Sequence, residues 1–449
     1  MDTLGVKDLK NLREQTLDII EKKLSPIAMK YQYCETPLEK KVKWKPIVLI
    51  LGNYSSGKST LINEFIGANI QRTGQAPTDD SFTIITYDGE DDNENLYAQG
   101  EVFEEREGTV LINSDLYPFS GLKPYGDRLS SHLKLKKVKC ETLKDMAIID
   151  TPGMLDTISE NDRGYPYQEV VGELAELADV ILVLFDAHKA GTVRETYTSL
   201  RTTLPEKSFE DRVVFVLNRI DECGNLEDML RVYGTLCWNL SQMTGRKDIP
   251  RVLLTYSSKV SDTVEEKPRY LNYLENQQME LKKTILSAPK NRLDHLNAFV
   301  DFHTEHLKKL NESFTVFNRE KNNFSLKFSS FGFLLTVIAT GFFALYTWAN
   351  EPFGKLTGET LGGLSSIVAF AFFIFWVLTA QKFFFSLFKK RTLERFEDFM
   401  SLKNQKQQDL WEKIKPLALE TIRKDKNILS TKILNKERLT LEEIAMKKV

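Results

Sequence analysis

The chain has 449 residues, enough for two or three domains with a substantial core. Its 61 Lys and Arg nearly balance 63 Asp and Glu, and a net charge of −2 sets up no global field for nucleic acid. Cys34, Cys140, Cys223 and Cys237 are scattered and form no C-x-x-C pair, which argues against a disulfide framework or zinc site and for a reducing compartment.

Met1 to Lys30 is charged throughout and lacks the apolar stretch of a signal peptide, so the N-terminal part is expected in the cytosol. Residues 8–32 place Leu9, Leu12, Leu17, Ile19, Ile20 and Leu24 mainly at helical spacing, as in a helix packed on another domain. A basic link, Lys40 to Pro46, leads into an apolar run at 47–51.

The next nine residues, Gly52 to Thr60 (GNYSSGKST), match G-x-x-x-x-G-K-[ST], the phosphate-cradling P-loop. Gly52 and Gly57 permit the tight turn that points successive N–H groups, those of Ser55, Ser56 and Thr60 among them, into one concavity. Lys58 is expected to reach the β- and γ-phosphates and Ser59 to ligate Mg²⁺. The preceding strand pattern and the following helical run Leu61 to Ile66 supply the strand–loop–helix context, with a helix N-terminus facing the anion.

From residue 46 to about 260, strand-like runs at 47–51, 146–150, 180–185, 212–217 and 251–255 alternate with helical stretches. Most are continuous Val, Ile, Leu and Phe, which suits a parallel sheet covered on both faces. The fold class is α/β: a doubly wound, mostly parallel sheet with its ligand at the carboxyl ends of the strands. Asp88 to Asp145 is long and polar and reads as irregular surface structure with one outer strand.

Two motifs then separate nucleotide switches from other P-loop proteins. Asp150-Thr151-Pro152-Gly153 ends an apolar strand and fits D-x-P-G. Its aspartate is expected to hold the Mg²⁺ shell and the Gly153 N–H to sense the γ-phosphate. Asn218-Arg219-Ile220-Asp221 ends another strand and fits N-K-x-D with Arg for Lys. Asp221 would accept two hydrogen bonds from a guanine edge, and Asn218 would tie this loop to the P-loop. His188, in Asp186-Ala187-His188-Lys189, reads as a loop residue with no catalytic role. Met154 follows Gly153 where Ras-type switches place a water-positioning Gln, so slow intrinsic hydrolysis is expected.

Residues 262–327 are helical, charged and amphipathic. Phe328 to Ala349 and Leu361 to Ala380 then contain no charged residue, and each is about the 20 residues that cross a hydrocarbon core. Lys321, Lys327, Lys382, Lys389, Lys390 and Arg391 flank the pair, which places both outer ends in the cytosol by the positive-inside rule. A hairpin inserted in one leaflet is the alternative. Trp348 and Trp376 are candidate interfacial anchors. The expected layout is an N-terminal helical segment 1–45, a nucleotide domain 46–260, a helical domain 261–327, a transmembrane hairpin 328–386 and a helical cytosolic tail 387–449.

GNYSSGKST, TGQAPTDDSF (73–82), IIDTPG, RGYPYQEV (163–170), LFDAHKAG (184–191), VLNRID (216–221) and RVYGTLCWNL (231–240) occur in order. In these seven motifs, over about residues 10–310, the chain resembles the EH-domain-containing ATPases and their luminal relative sarcalumenin, in the dynamin superfamily. The resemblance implies a dynamin-type nucleotide domain flanked by a helical domain made from the N-terminal helix and residues after 262. It also implies a homodimer or oligomer through the nucleotide domain, with Trp238 in the contact segment, and nucleotide-driven remodelling of a lipid membrane. The family's P-T-T-D switch stands here as Pro77-Thr78-Asp79-Asp80, so Thr78 is the expected catalytic and Mg²⁺-holding residue alongside Lys58, Asp150 and Gly153. An EH domain is not expected, nor are its peptide ligands. The hydrophobic hairpin is similar to those of atlastin and mitofusin in layout only.

The expected function is thus a membrane-anchored, dynamin-like NTPase on an intracellular membrane such as the endoplasmic reticulum or endosomes. Its cofactors would be Mg²⁺ with GTP or ATP, and no nucleic acid partner is expected. The base stays open, since the N-x-x-D reading favours guanine and the resembling family uses adenine. The rival reading is a nucleotide-binding membrane scaffold with little hydrolysis, and a transporter component ranks below both.

Overall fold

The computed structural model describes residues 6–72, 81–87, 97–153, 164–188, 212–244, 251–257, 269–272, 274, 276–350, 358–400, 402, 404–424 and 430–446. The chain divides into two compact units, residues 1–22 with 36–300, and residues 23–35 with 301–448.

The first unit opens with helix α1 (Val6–Ile19), as the N-terminal periodicity predicts. Strand β1 (Ile47–Gly52) is buried along its whole length. Its odd residues, Ile47, Leu49 and Leu51, enter one core with Val170, Val171 and Leu174. Its even residues, Val48 and Ile50, enter the other with Ile62, Phe65 and Ile66. A continuous apolar run is what a strand needs when both faces are covered, because successive side chains point to opposite sides.

The remaining elements follow in order: α2 (Lys58–Ile66), β2 (Phe82–Thr86), β3 (Val102–Glu107), α3 (Gly108–Asn113), α4 (Gly126–Ser131), β4 (Leu133–Val138) and β5 (Ala147–Asp150). Then come α5 (Tyr167–Leu177), β6 (Val180–Asp186), β7 (Val213–Asn218), α6 (Leu226–Thr244), β8 (Val252–Leu254) and α7 (Gln278–Leu286). The eight strands form one sheet in the order β3-β4-β2-β5-β1-β6-β7-β8.

The five strands read from the sequence make up a continuous parallel block, β5-β1-β6-β7-β8, and β2 and β4 pair in parallel with each other. The sheet as a whole is mixed, because β2 runs antiparallel to β5 and β3 antiparallel to β4. The polar stretch before β5 holds two outer strands rather than one. β3 (VFEERE) exposes Glu105 and Glu107 at the sheet edge, and β4 (LKLKKV) alternates Lys with buried Leu. Neither shows the continuous apolar run that marks a central strand, and a charged edge also discourages pairing with other chains.

Helix α8 (Ala288–Asn350) gives its residues to Val300 to the first unit and the rest to the second. In the second unit, α8 is followed by α9 (Gly358–Phe375), α10 (Gln381–Glu394), α11 (Gln405–Lys424) and α12 (Thr431–Met446). Asn311 of α8 donates to the Tyr31 hydroxyl at 2.6 Å and to the Leu434 carbonyl of α12 at 3.0 Å. Lys30 pairs with Glu437, and Phe396 stacks on the buried Trp411. The expected helical segment 261–327 is therefore divided between the units, and most of the expected tail packs with 301–327. The tail's apolar spacing, carried by Trp411, Ile414, Ala418 and Ile422, buries one face of α11 in that unit.

Among the described residues, two helices are long and apolar enough to cross a membrane. Only 11% and 6% of their most apolar windows are buried, and Phe331, Phe333, Phe342, Ile367 and Phe370 are more than half exposed. Trp376 packs against the first residue of the first apolar run, beside Lys327 in the sequence. Its ring stacks on Phe328, its Nε1 donates to the Phe328 carbonyl at 3.1 Å, and Gly332 provides the room. Trp348, at the other end of its run, is 74% exposed.

Candidate functional site

The site lies at the carboxyl ends of β1, β5 and β7, where open α/β sheets place their ligands. β1 ends at Gly52, and the loop to α2 turns through two positive-φ residues, Ser55 at 64° and Gly57 at 90°. A Cβ at Gly52 would lie 2.5 Å from the Leu184 carbonyl, and one at Gly57 would lie 2.3 Å from Asn218 Nδ2. Both positions need glycine for close approach as well as for conformation. Lys58 begins α2, is 8% exposed, and donates to the Gly52 and Asn53 carbonyls at 2.8 and 3.1 Å.

The outer side of the loop is held by the Asn218–Asp221 turn. Asn218 Nδ2 donates to the Ser56 carbonyl at 3.0 Å, while Thr255 donates to Asn218 Oδ1 at 3.0 Å. Arg219, at φ 62°, donates to the Ser55 carbonyl at 2.9 Å and to Asp186 at 3.1 Å. Its other guanidinium nitrogens form a bidentate pair with Glu222 at 2.6 and 2.5 Å. Two loop carbonyls are thereby turned outward. Burial pushes the half-buried Asp221 carboxyl above its ordinary value, and the charge of Glu222 adds to this. His188 offers its backbone N–H to Asp186 at 2.9 Å, and its ring is 49% exposed.

Asp150 ends β5 and is 6% exposed. Thr151 donates to the Ile50 carbonyl of β1 at 2.9 Å, and Tyr167 donates to the Pro152 carbonyl at 3.0 Å. The Tyr167 ring also stacks on Phe82, so the Y-P-Y segment braces both the D-T-P-G turn and the start of β2. A Cβ at Gly153 would lie 2.6 Å from the Tyr54 ring, so only glycine lets this P-loop tyrosine cover the turn. Gln71 Nε2 donates to Asp150 Oδ2 at 2.7 Å.

The structure thus brings Gly52, Ser55, Ser56, Gly57, Lys58, Ser59, Thr60, Asp150, Gly153, Asn218, Arg219 and Asp221 to the strand ends, loops and first helical turn at one end of the sheet. Thr78, Asp79 and Met154 lie outside the described residues. Reading the motifs missed Asn63, Gln71, Lys136, Tyr167 and Thr255. Of these, Tyr167 lies within the RGYPYQEV motif, and Asn63 is a polar residue on the apolar face of a helix.

The residues fit a magnesium–nucleotide pair. The loop is a cradle that side chains at Gly52 or Gly57 would fill, and Ser56 Oγ is buried with no hydrogen-bond partner among the described residues. No group of three His, Cys, Asp or Glu side chains placed to hold a metal ion occurs among the described residues. A metal here would share its ligands with phosphate, as Mg²⁺ does when a hydroxyl and one carboxylate supply the protein side.

Residues 48–220 match the model of the dynamin family. EH domain-containing protein 2 of Arabidopsis thaliana is 29% identical over 264 residues, covering 57% of this chain and 45% of that protein. EH domain-containing protein 3 of Rattus norvegicus is 30% identical over 250 residues, covering 55% and 43%. The chain spans about half the length of the curated relatives it matches. A solved structure described as an oligomerised bacterial dynamin pair aligns with 99% of this chain and 77% of that chain, at 13% identity and a TM-score of 0.37. A likeness at that level decides nothing by itself. The family match covers the P-loop, the D-T-P-G turn and the start of the N-R-I-D turn, so residues 48–220 form a domain similar to that of the dynamin family, and over about half its length the chain is similar to the EH domain-containing proteins.

Proposed function

We propose that this protein is a membrane-anchored, dynamin-like NTPase that binds GTP with Mg²⁺, hydrolyses it slowly, and remodels or tethers an intracellular membrane through nucleotide-dependent dimers or oligomers. The observation that carries the nucleotide site is the tie of Asn218 and Arg219 to the Ser56 and Ser55 carbonyls, at 3.0 and 2.9 Å, beside Lys58 and Asp150. Motifs far apart in sequence meet there, which supports a single site for phosphate and base.

The inward N–H groups of the P-loop bind phosphate, and Lys58 supplies the positive charge. Ser59, Thr78 and Asp150 hold Mg²⁺, which when bound neutralises charge on the phosphates. Gly153 offers its N–H to the γ-phosphate side. Asp221 accepts from two donors of a guanine edge, and adenine presents no such pair, which favours GTP over ATP. Met154, following Gly153, favours slow turnover and keeps the nucleotide-binding scaffold as the second reading.

Helix α6 supports the assembly reading. Leu226, Leu230 and Trp238 fall on one face at i, i+4 and i+12, with Gly234 between them, and are 41%, 56% and 65% exposed. The exposed hairpin helices support membrane anchoring with both flanks and the helices after it in the cytosol.

Fluorescent GTP and ATP analogues titrated against the full-length protein, followed by turnover with and without vesicles, test the reading. Lys58→Ala is expected to weaken nucleotide binding at least about 100-fold, the loss of a charge-assisted contact, while the protein stays in the membrane pellet. Unchanged affinity in that variant would overturn the site. Tight binding by the unmodified chain with no vesicle-stimulated turnover would favour the scaffold.

A further inference from the structure

Asp150 does not meet the rest of the domain only through its own strand. Gln71 is 7% exposed, and its Nε2 donates to Asp150 Oδ2 at 2.7 Å. Its Oε1 accepts from Lys136 Nζ of β4 at 3.0 Å, and the same ammonium donates to the Ile70 carbonyl at 3.0 Å. The direction of this chain follows from chemistry. An ammonium can only donate and a carboxylate can only accept, so the amide between them must present oxygen to Lys136 and nitrogen to Asp150.

The Gln71 backbone is fixed as well. Asn63 Oδ1, on the P-loop helix α2, accepts the N–H groups of Ile70 and Gln71 at 3.0 and 2.9 Å, and its Nδ2 donates to the Gln71 carbonyl at 2.8 Å. One buried asparagine thus satisfies three backbone groups of the segment that carries the glutamine.

We propose that Gln71, oriented by Lys136 and anchored by Asn63, is a positioning residue for Mg²⁺: it sets the plane of the Asp150 carboxylate so that the metal's shell meets it already aligned. This rests on the Mg²⁺ role given to Asp150 above. Outer-shell partners of this kind are worth about 10- to 100-fold in metal affinity or activity in other metal sites. The amide is suited to the task because it is a neutral donor. It holds the carboxylate without bringing a second charge near the metal.

The test is a titration of free Mg²⁺ into the full-length protein with a fluorescent GTP or ATP analogue, whichever binds, reading the Mg²⁺ concentration at half-maximal tight binding. Gln71→Glu is nearly isosteric and turns the hydrogen bond from Lys136 into an ion pair, so it preserves packing but replaces the donor facing Asp150 with an acceptor. It is expected to raise the Mg²⁺ midpoint about 10-fold or more, with nucleotide affinity in EDTA unchanged within about twofold. Lys136→Met should move the midpoint the same way by less, and Lys136→Arg should restore it. An unmoved midpoint in Gln71→Glu, where Asp150→Ala does move it, would overturn the proposal and leave the Mg²⁺ reading standing. An unmoved midpoint in Asp150→Ala would remove both.

Discussion

Glycine 57 shows how tightly single positions are specified. Its φ of 90° and the 2.3 Å that a Cβ would leave to Asn218 Nδ2 mean that alanine there meets both backbone strain and a clash. Relief would push Asn218 off the Ser56 carbonyl and free one wall of the phosphate cradle. Gly57→Ala is expected to cost about 1–3 kcal/mol of stability and to weaken nucleotide binding at least tenfold. Thermal melts and nucleotide titration of the variant check it, and near-native values in both would show that the loop can reroute. The same turn shows what a motif leaves out. Arg219 in the lysine position does not pull away from the site, because Asp186 and Glu222 hold its guanidinium while it reaches the Ser55 carbonyl.

At the scale of elements, the amino ends of β1 and β6 are locked to the first turns of α8. Asp179 is fully buried, accepts the Ile47 N–H at 2.8 Å, and pairs with Arg292 at 3.0 Å and His295 at 2.8 Å. Arg292 also donates to the Val42 and Trp44 carbonyls. Removing one partner strands a buried charge, so Arg292→Met is expected to destabilise the first unit by about 3–5 kcal/mol, read from denaturant midpoints. Burial alone would raise the Asp179 carboxyl, but Arg292 and His295 outweigh it and hold it below its ordinary value. Burial lowers His295, with Arg212 and Arg292 adding, against the pull of Asp179. Both folded values lie below the unfolded ones, so both contributions are present at neutral pH and are lost on acidification. Stability should fall first as pH drops below the unfolded histidine value of 6.5 and again below the unfolded carboxyl value of 3.8. Unfolding measured at pH 7.5 and 5.5 should show a smaller difference in His295→Asn than in the unmodified protein.

For the whole molecule, the proposed anchoring and assembly are testable separately. Val337 is 54% exposed near the middle of the first apolar run. Val337→Arg is expected to cost about 2.5–3.5 kcal/mol of insertion and to increase the fraction released by alkaline carbonate, whereas full retention would point to another anchor. Trp238→Glu should lower the mass of the nucleotide-bound protein measured by light scattering in detergent, with nucleotide affinity kept. A mass unchanged by that substitution would move the contact off α6.

The sequence by itself determined the local features. A P-loop between an apolar strand and a helix, five buried parallel strands and two long apolar helices are written in short-range spacing, because turn chemistry and side-chain periodicity act over a few residues. It did not show that β2, a five-residue strand rich in Thr, inserts antiparallel beside β5, nor that charged β3 and β4 complete the sheet. It could not show that Gln71 and Lys136 converge on Asp150, that Trp376 packs into the space at Gly332, or that Asn311 joins Tyr31 to α12. Those contacts link residues dozens to hundreds of positions apart. Which polar group meets which is set by strand register and helix packing once the chain has closed, and only the tertiary structure decides that.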